Sequence, residues 1–169
     1  MRRWMMTRIL MVVGMLALLG FSLNPAPAQD PPLPPGARIV PPAAGVSPRL
    51  AQLSGVWEGA WEFDFPAGGG GKKLYAMEVL GREVKIAVLE IAPSRVNALC
   101  AMGGTPENPL RWFRVREASV AGDGIVLKWG MPGKQKTLTL RPTGNPAVAQ
   151  ATLDLEKAPR PFKATLRKK

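Results

Sequence analysis

The carboxylates Glu58, Glu62 and Asp64 all fall on even positions of LSGVWEGAWEFDF, residues 53–65. Paired carboxylates are the usual material of general acid–base chemistry, provided they face a cleft. Here the odd positions are Leu53, Gly55, Trp57, Gly59, Trp61 and Phe63, so on a strand the carboxylates share the opposite face and point to water. They read as the wet side of a sheet. Nucleophilic chemistry is poorly supplied as well. The chain has no histidine, which excludes Ser-His-Asp and Cys-His systems and histidine-based zinc or copper sites. Its one cysteine, Cys100, cannot form an intramolecular disulfide. Cys100 reads as a small buried hydrophobe, with pairing to a partner as the alternative. No catalytic residue, metal site or cofactor is expected, and the chain is read as a non-enzyme.

The N-terminus carries an address. MRRWMMTR is a cationic stretch, ILMVVGMLALLGF from Ile9 to Phe21 is an apolar core, and Ala26-Pro27-Ala28 is a small-x-small site that puts cleavage before Gln29. The apolar run is too short to span a bilayer, which takes about 20 residues. Residues 1–28 are therefore read as a signal peptide and the protein as periplasmic or secreted. Residues 29–49 hold prolines at 31, 32, 34, 35, 41, 42 and 48, spacing that favours polyproline II and opposes both helix and sheet. This stretch reads as a semi-rigid spacer. Residues 50–169 then form one domain, long enough for one core.

Within that domain, period-two alternation predicts strands nearly throughout. After the first strand come GKKLYAMEVL and EVKIAVLEI, with Gly81-Arg82 at the turn between them. RWFRVREASV and GIVLKWGM are joined across Gly122-Asp123-Gly124, a hairpin signal. KQKTLTL, AVAQATLDL and FKATLR complete eight strands. Inward faces are assigned to Ile125, Leu127 and Trp129; to Leu138 and Leu140; to Ala149, Ala151, Leu153 and Leu155; and to Phe162, Ala164 and Leu166. The stretch PSRVNALCAM, residues 93–102, is read as a short helix or a covering loop. One apolar and one wet face per strand predicts an all-β, eight-stranded antiparallel up-and-down barrel, with a two-sheet sandwich giving similar alternation. In the fourth strand either Phe113 and Val115 or Trp112, Arg114 and Arg116 face inward. The cost of burying two arginines favours Phe113 and Val115.

Gly55-Val56-Trp57, at the start of the first strand, resembles the G-x-W signature of lipocalins and the wider calycin group. The resemblance implies a lipocalin-like barrel in which a basic residue of the last strand packs across the tryptophan. Arg167, in FKATLRKK, stands where that residue would be, so Gly55, Trp57 and Arg167 are expected to close one end. VWEGAWEF is also similar to small exported bacterial barrel domains. Gly55 and Gly59 leave room beside Trp57 and Trp61 and allow tight coiling.

Charge is unevenly spread. Residues 29–110 hold 7 basic and 8 acidic side chains, whereas residues 111–169 hold 13 basic and 4 acidic. The second half should present a cationic outer wall, with Lys134, Lys136 and Lys163 among its members. In an envelope its anions would be lipid head groups, wall polymers or acidic proteins. Nucleic acid is not expected for an exported chain without a stacking motif, and a monomer is expected. Two functions follow. One is a binding barrel of the cell envelope, holding a small apolar or amphipathic ligand between Trp61, Phe63, Met77 and Trp129. The other is an interaction module whose basic outer surface meets an anionic polymer or protein, with small periplasmic protease inhibitors of lipocalin-like fold as the resembling precedent. The secreted form should begin at or near Gln29; intact-mass measurement on exported protein checks this, and a mature chain retaining Met1 would contradict it.

Overall fold

In the computed structural model, which describes residues 31–63, 80–131, 133–156, 158 and 160–169, the alternating stretches form nine strands. They are β1 (Gly55–Glu62), β2 (Glu83–Ala92), β3 (Arg95–Gly103), β4 (Arg111–Arg114), β5 (Glu117–Ala121), β6 (Gly124–Trp129), β7 (Lys136–Pro142), β8 (Val148–Leu155) and β9 (Phe162–Lys168). A single helical turn, α1 (Pro48–Ala51), precedes them. The strand order is β4-β3-β2-β1-β9-β8-β7-β6-β5, and every neighbouring pair is antiparallel. This is an up-and-down sheet, curled so that the first strand pairs with the last.

The two outermost strands of that order, β4 and β5, are consecutive in the chain. The sequence predicts them as one strand and the total as eight. Nine strands are described because that one strand is split by a change of partner at Val115 and because residues 95–103 add β3, while one expected strand is not among them. β4 pairs with β3 up to Arg114, and β5 pairs with β6 from Glu117. Between them, the Val115 N–H donates to the Ala98 carbonyl at 3.4 Å, the last link to β3. The expected strand GKKLYAMEVL lies, up to Val79, outside the described residues.

Residues 93–102, expected as helix or covering loop, belong instead to the β2–β3 hairpin. β3 is sealed by ladders with β2 and β4, and it is buried on both faces. Val96, Ala98 and Cys100 face the main core, whereas Leu99 packs with Ala87 and Leu89 on the outside. A strand wet on neither face shows a continuous apolar run, which periodicity cannot tell from a buried helix.

The outer apolar patch is covered by the proline-rich segment. Leu33 and Ala37 pack on Ala87, Leu89 and Leu99, together with Val56 and Trp112. The Trp112 indole donates to the Pro31 carbonyl at 3.0 Å. Val40 N–H donates to Leu89 O and Ala43 N–H to Ile91 O, both at 2.9 Å. These last two bonds serve the part of β2 that runs past its pairing with β1, which ends at Val88. The segment expected as a spacer is thus a strap laid on the sheet.

The inward faces assigned from sequence hold. Ile125, Leu127, Leu138, Leu140, Ala149, Ala151, Leu153, Ala164 and Leu166 are fully buried in one cluster with Trp57 and Leu53, and Trp129, Leu155 and Phe162 pack against it. At one end the cluster is plugged. Ser47 caps α1 by accepting from Leu50 N–H, Leu50 and Leu53 turn inward, and the Trp57 indole donates to Leu53 O at 2.8 Å. Lys168 then lies over the Trp57 ring, its Nζ 5.3 Å from the centroid, and donates to Gln52 O at 3.0 Å.

The closing basic residue is therefore Lys168, not Arg167. Leu166 faces inward, so period-two geometry puts Lys168 on the same face and Arg167 outside, opposite Glu58 in register. Gly55 makes the crossing possible. Its φ of 121° suits glycine, and a Cβ there would stand 2.9 Å from Lys168 Cε. Trp57→Ala should cost about 3–5 kcal/mol. A double-mutant cycle read by urea unfolding should find Trp57 and Lys168 coupled by about 0.5–1 kcal/mol. Arg167→Ala should show no coupling; the reverse ranking would restore Arg167 as the closing residue.

Candidate ligand site at the open end

The strands that plug one end with Trp57 carry aromatic side chains to the other. Trp61 sits one inward position beyond Gly59 on β1, opposite Ala164 of β9. Phe63 follows and meets Phe162 edge-on, with centroids 5.9 Å apart and planes at 66°. Across the mouth Phe113 and Trp129 are tilted at 51° with centroids 5.5 Å apart. Such geometries are those favoured by ring quadrupoles. Phe113 is opposite Cys100 in register, and Trp112 points out to the strap, which settles the orientation of the fourth predicted strand in favour of Phe113.

Three of the four residues expected to contact ligand, Trp61, Phe63 and Trp129, are gathered at this end. The fourth, Met77, lies outside the described residues. Below the mouth the barrel is filled: Leu127, Leu138 and Leu153 are fully buried. Among the described residues this end therefore has leucines beneath and aromatic rings around them.

Two polar groups are set among these rings. The first is the Trp61 indole N–H. Trp61 is only 5% exposed, and its buried Nε1 has no hydrogen-bond acceptor among the described residues. A buried donor left unpaired costs about 1–3 kcal/mol. The second is Lys136, which opens β7. It shares the parity of Leu138 and Leu140, is half-buried, and is flanked in register by Trp129 and Leu155. Burial lowers its pKa from the ordinary 10.5, an effect partly offset by Cys100. In turn, burial pushes the Cys100 thiol up to about 12, against a smaller lowering by Lys136 and by a backbone hydrogen bond at Ala101.

Lys136 was assigned from sequence to the outer cationic wall. Its side chain instead belongs with the inward residues, and the available signal was its two-residue spacing from Leu138. A lysine stem can run along an apolar wall while its amine reaches toward the rim, which is how the inward parity is tolerated.

The carboxylates that opened the sequence reading are engaged elsewhere. Glu58 is 3.1 Å from the amine of Lys85, itself only 5% exposed, and 3.6 Å from Lys169. Glu62 accepts from the Thr165 hydroxyl at 3.2 Å, and Asp64 lies outside the described residues. Among the described residues no group of three histidine, cysteine, aspartate or glutamate side chains is placed to hold a metal ion.

No family model and no curated protein matches the chain. Among solved structures it is similar to the wild-type fluorescent protein UnaG, at 13% identity and a TM-score of 0.45, covering 71% of this chain and 99% of that one. A point mutant of UnaG matches alike, at 13% identity and 0.45, with 70% and 96% covered.

The Cys100 environment generates a pH prediction. Its folded pKa is raised from 9.0 to about 12, so between those values the folded chain holds a proton that the unfolded chain has lost. Stability contributed by the neutral thiol is full below pH 9.0 and falls as pH climbs toward about 12. Lys136 acts in the opposite sense: its folded pKa is lowered, so stability rises between that value and 10.5. Urea midpoints measured across this range should fall less steeply in Cys100→Ala than in the parent chain. In the native protein Cys100 should resist alkylation at pH 8 and react only after denaturation; rapid native-state labelling would contradict its burial.

Proposed function

We propose that this protein is a non-enzymatic binding protein of the cell envelope that takes a small amphipathic ligand at the open end of its curled sheet. The observation that carries the reading is the pairing of an aromatic rim with polar groups lacking partners. Trp61 Nε1 is buried without an acceptor, and Lys136 is half-buried without an ion pair among the described residues. A core that served stability alone would gain nothing from either group, because each costs desolvation that no protein partner returns. A ligand with an apolar body and an acceptor-bearing head supplies what both lack. Apolar walls with a few convergent polar groups are the ordinary make-up of small-molecule sites. Export rests on the charged, apolar and small-x-small order of residues 1–28, and the monomeric, cofactor-free state belongs to the same proposal.

Titration of the mature protein with a medium-chain fatty acid should give a saturable change in tryptophan fluorescence. Trp61→Phe keeps an aromatic ring and removes the indole donor together with its second ring, so some packing is lost as well. It should weaken binding about threefold to tenfold, the range expected for one net hydrogen bond. Lys136→Met should weaken binding of the acid but not of the corresponding alcohol. An unresponsive signal across acids, alcohols and esters would leave the mouth as packed core and return function to the outer surface. For that second reading the supporting observation is the run of exposed basic side chains on the outer face, among them Arg114, Arg116, Lys163 and Arg167.

A further inference from the structure

The partner change at Val115 opens a cleft between β3 and β5. Its volume is about 250 Å³, and Val96, Ala98 and Val115 lie in its wall with Arg95, Arg114 and Arg116. The cleft exists because the ladder lapses there. Among the described residues β3 has a ladder partner from Arg95 to Asn97 only in β2, and β5 has one only in β6. Two strand edges thus face a common gap bridged by the one bond from Val115 to Ala98.

Charge in this gap is unbalanced. Glu90 is the carboxylate of the wall, and Arg95 already bonds it. Among the described residues Arg114 and Arg116 have no ion pair. Val115, buried between them, fixes the backbone from which both project on the exposed side. A guanidinium has five N–H donors and accepts nothing. Two of them flanking one cleft call for a ligand that carries several acceptor oxygens and about two negative charges. Carboxylate supplies one charge, whereas a phosphate monoester carries about −1.5 to −2 at neutral pH with three terminal oxygens. Bidentate guanidinium–phosphate bonds are also among the stronger charge-assisted contacts.

We propose that the seam cleft between β3 and β5 is a binding site for a phosphate monoester group, held by Arg114 and Arg116. It is independent of the ligand site at the mouth, and neither arginine belongs to that site. The group reaches the cleft either free in solution or as the head of a membrane lipid, and both present the same dianion.

The full mature chain, titrated calorimetrically with inorganic phosphate at fixed ionic strength, should bind saturably. The double variant Arg114→Gln/Arg116→Gln should lose about tenfold or more in affinity with an unchanged thermal midpoint. The control Arg141→Gln/Lys163→Gln, which removes as much charge from the same outer surface, should keep the parental affinity. Co-sedimentation with phosphatidylcholine vesicles with and without phosphatidic acid distinguishes the source. Capture by phosphatidic acid that is lost in the Arg114/Arg116 variant assigns a lipid head, and binding to free phosphate alone assigns a soluble ligand. Equal loss in the control variant overturns the proposal, as does the absence of saturable binding to either probe. Displacement of phosphate by a glutamate-rich peptide at equal potency also overturns it, because the cleft would then read charge and not phosphate.

Discussion

The close approach of β9 to β1 is the contact on which the curled sheet depends. It joins residues more than a hundred positions apart: Trp57 stands opposite Lys168 and Trp61 opposite Ala164. Gly59 sits midway along this seam, and a Cβ there would come within 2.5 Å of Thr165 O and 2.8 Å of a Leu166 methyl. No side chain could be admitted without moving the last strand away from the first. The seam also fixes which residues reach each end. With Gly59 against Leu166 in register, Trp57 falls below it toward α1, and Trp61 falls above it toward the mouth. Closing so long a loop is entropically costly and slow, so the meander of short hairpins on either side must form with enough apolar burial to offset it.

The unequal legibility of the sequence follows from the same geometry. Strands β6 to β9 were readable because each is wet outside and dry inside, and because turns such as Gly122-Asp123 punctuate them. β3 was not readable, since Leu99 is covered on the outer face by a segment that sequence gave no reason to place there. The strap itself was half legible. Its prolines excluded helix and ladder, but its docking rests on Leu89, Leu99 and Trp112 facing outward, and outward apolar residues are intelligible only once the parity of each strand is known. Lys136 was misplaced for a different reason: it obeys the alternation of its own strand, yet its charge overrode the pattern when it was assigned to the outer wall. Lys168 obeys its strand as well, but the closing role had gone to Arg167 by family resemblance. At strand ends this override is unsafe, because a lysine there buries its stem and still leaves its amine close to water. The division of residues 111–121 into β4 and β5 had no signal in alternation, since a change of partner alters neither strand propensity nor burial greatly.

The two ends of the barrel then solve opposite problems. At the plugged end the tryptophan and the lysine both have partners: the Trp57 indole reaches Leu53 O, and Lys168 reaches Gln52 O while covering the ring. At the mouth the corresponding tryptophan, Trp61, has no acceptor among the described residues, and the corresponding lysine, Lys136, is flanked in register by Trp129 and Leu155. Identical residue types thus form a finished lid at one end and an unfinished one at the other. Local stability is therefore distributed along the barrel axis.

The seam at Val115 is a third place where pairing is incomplete, and it has the opposite electrostatic character from the inner mouth. There the unmet requirement is set by exposed guanidinium groups around an apolar wall, so that what is missing is negative charge; at the mouth it is set by a buried neutral donor and one half-buried amine, so that what is missing is a modest acceptor on an apolar body. A curled sheet is complete wherever each strand has two neighbours. This chain departs from that at its change of partner, and the residue types there differ in kind from those at the mouth. The basic excess of the second half follows from the same division: most of its charges project from the outer faces of β4 to β9, Lys136 and Lys168 being inward in parity, and the inner faces of those strands otherwise hold leucine, alanine, isoleucine and aromatic residues. Solubility alone would ask for interspersed signs on that surface. A predominantly basic surface around a cleft whose two arginines have no ion pair among the described residues instead raises the local concentration of anions at that cleft.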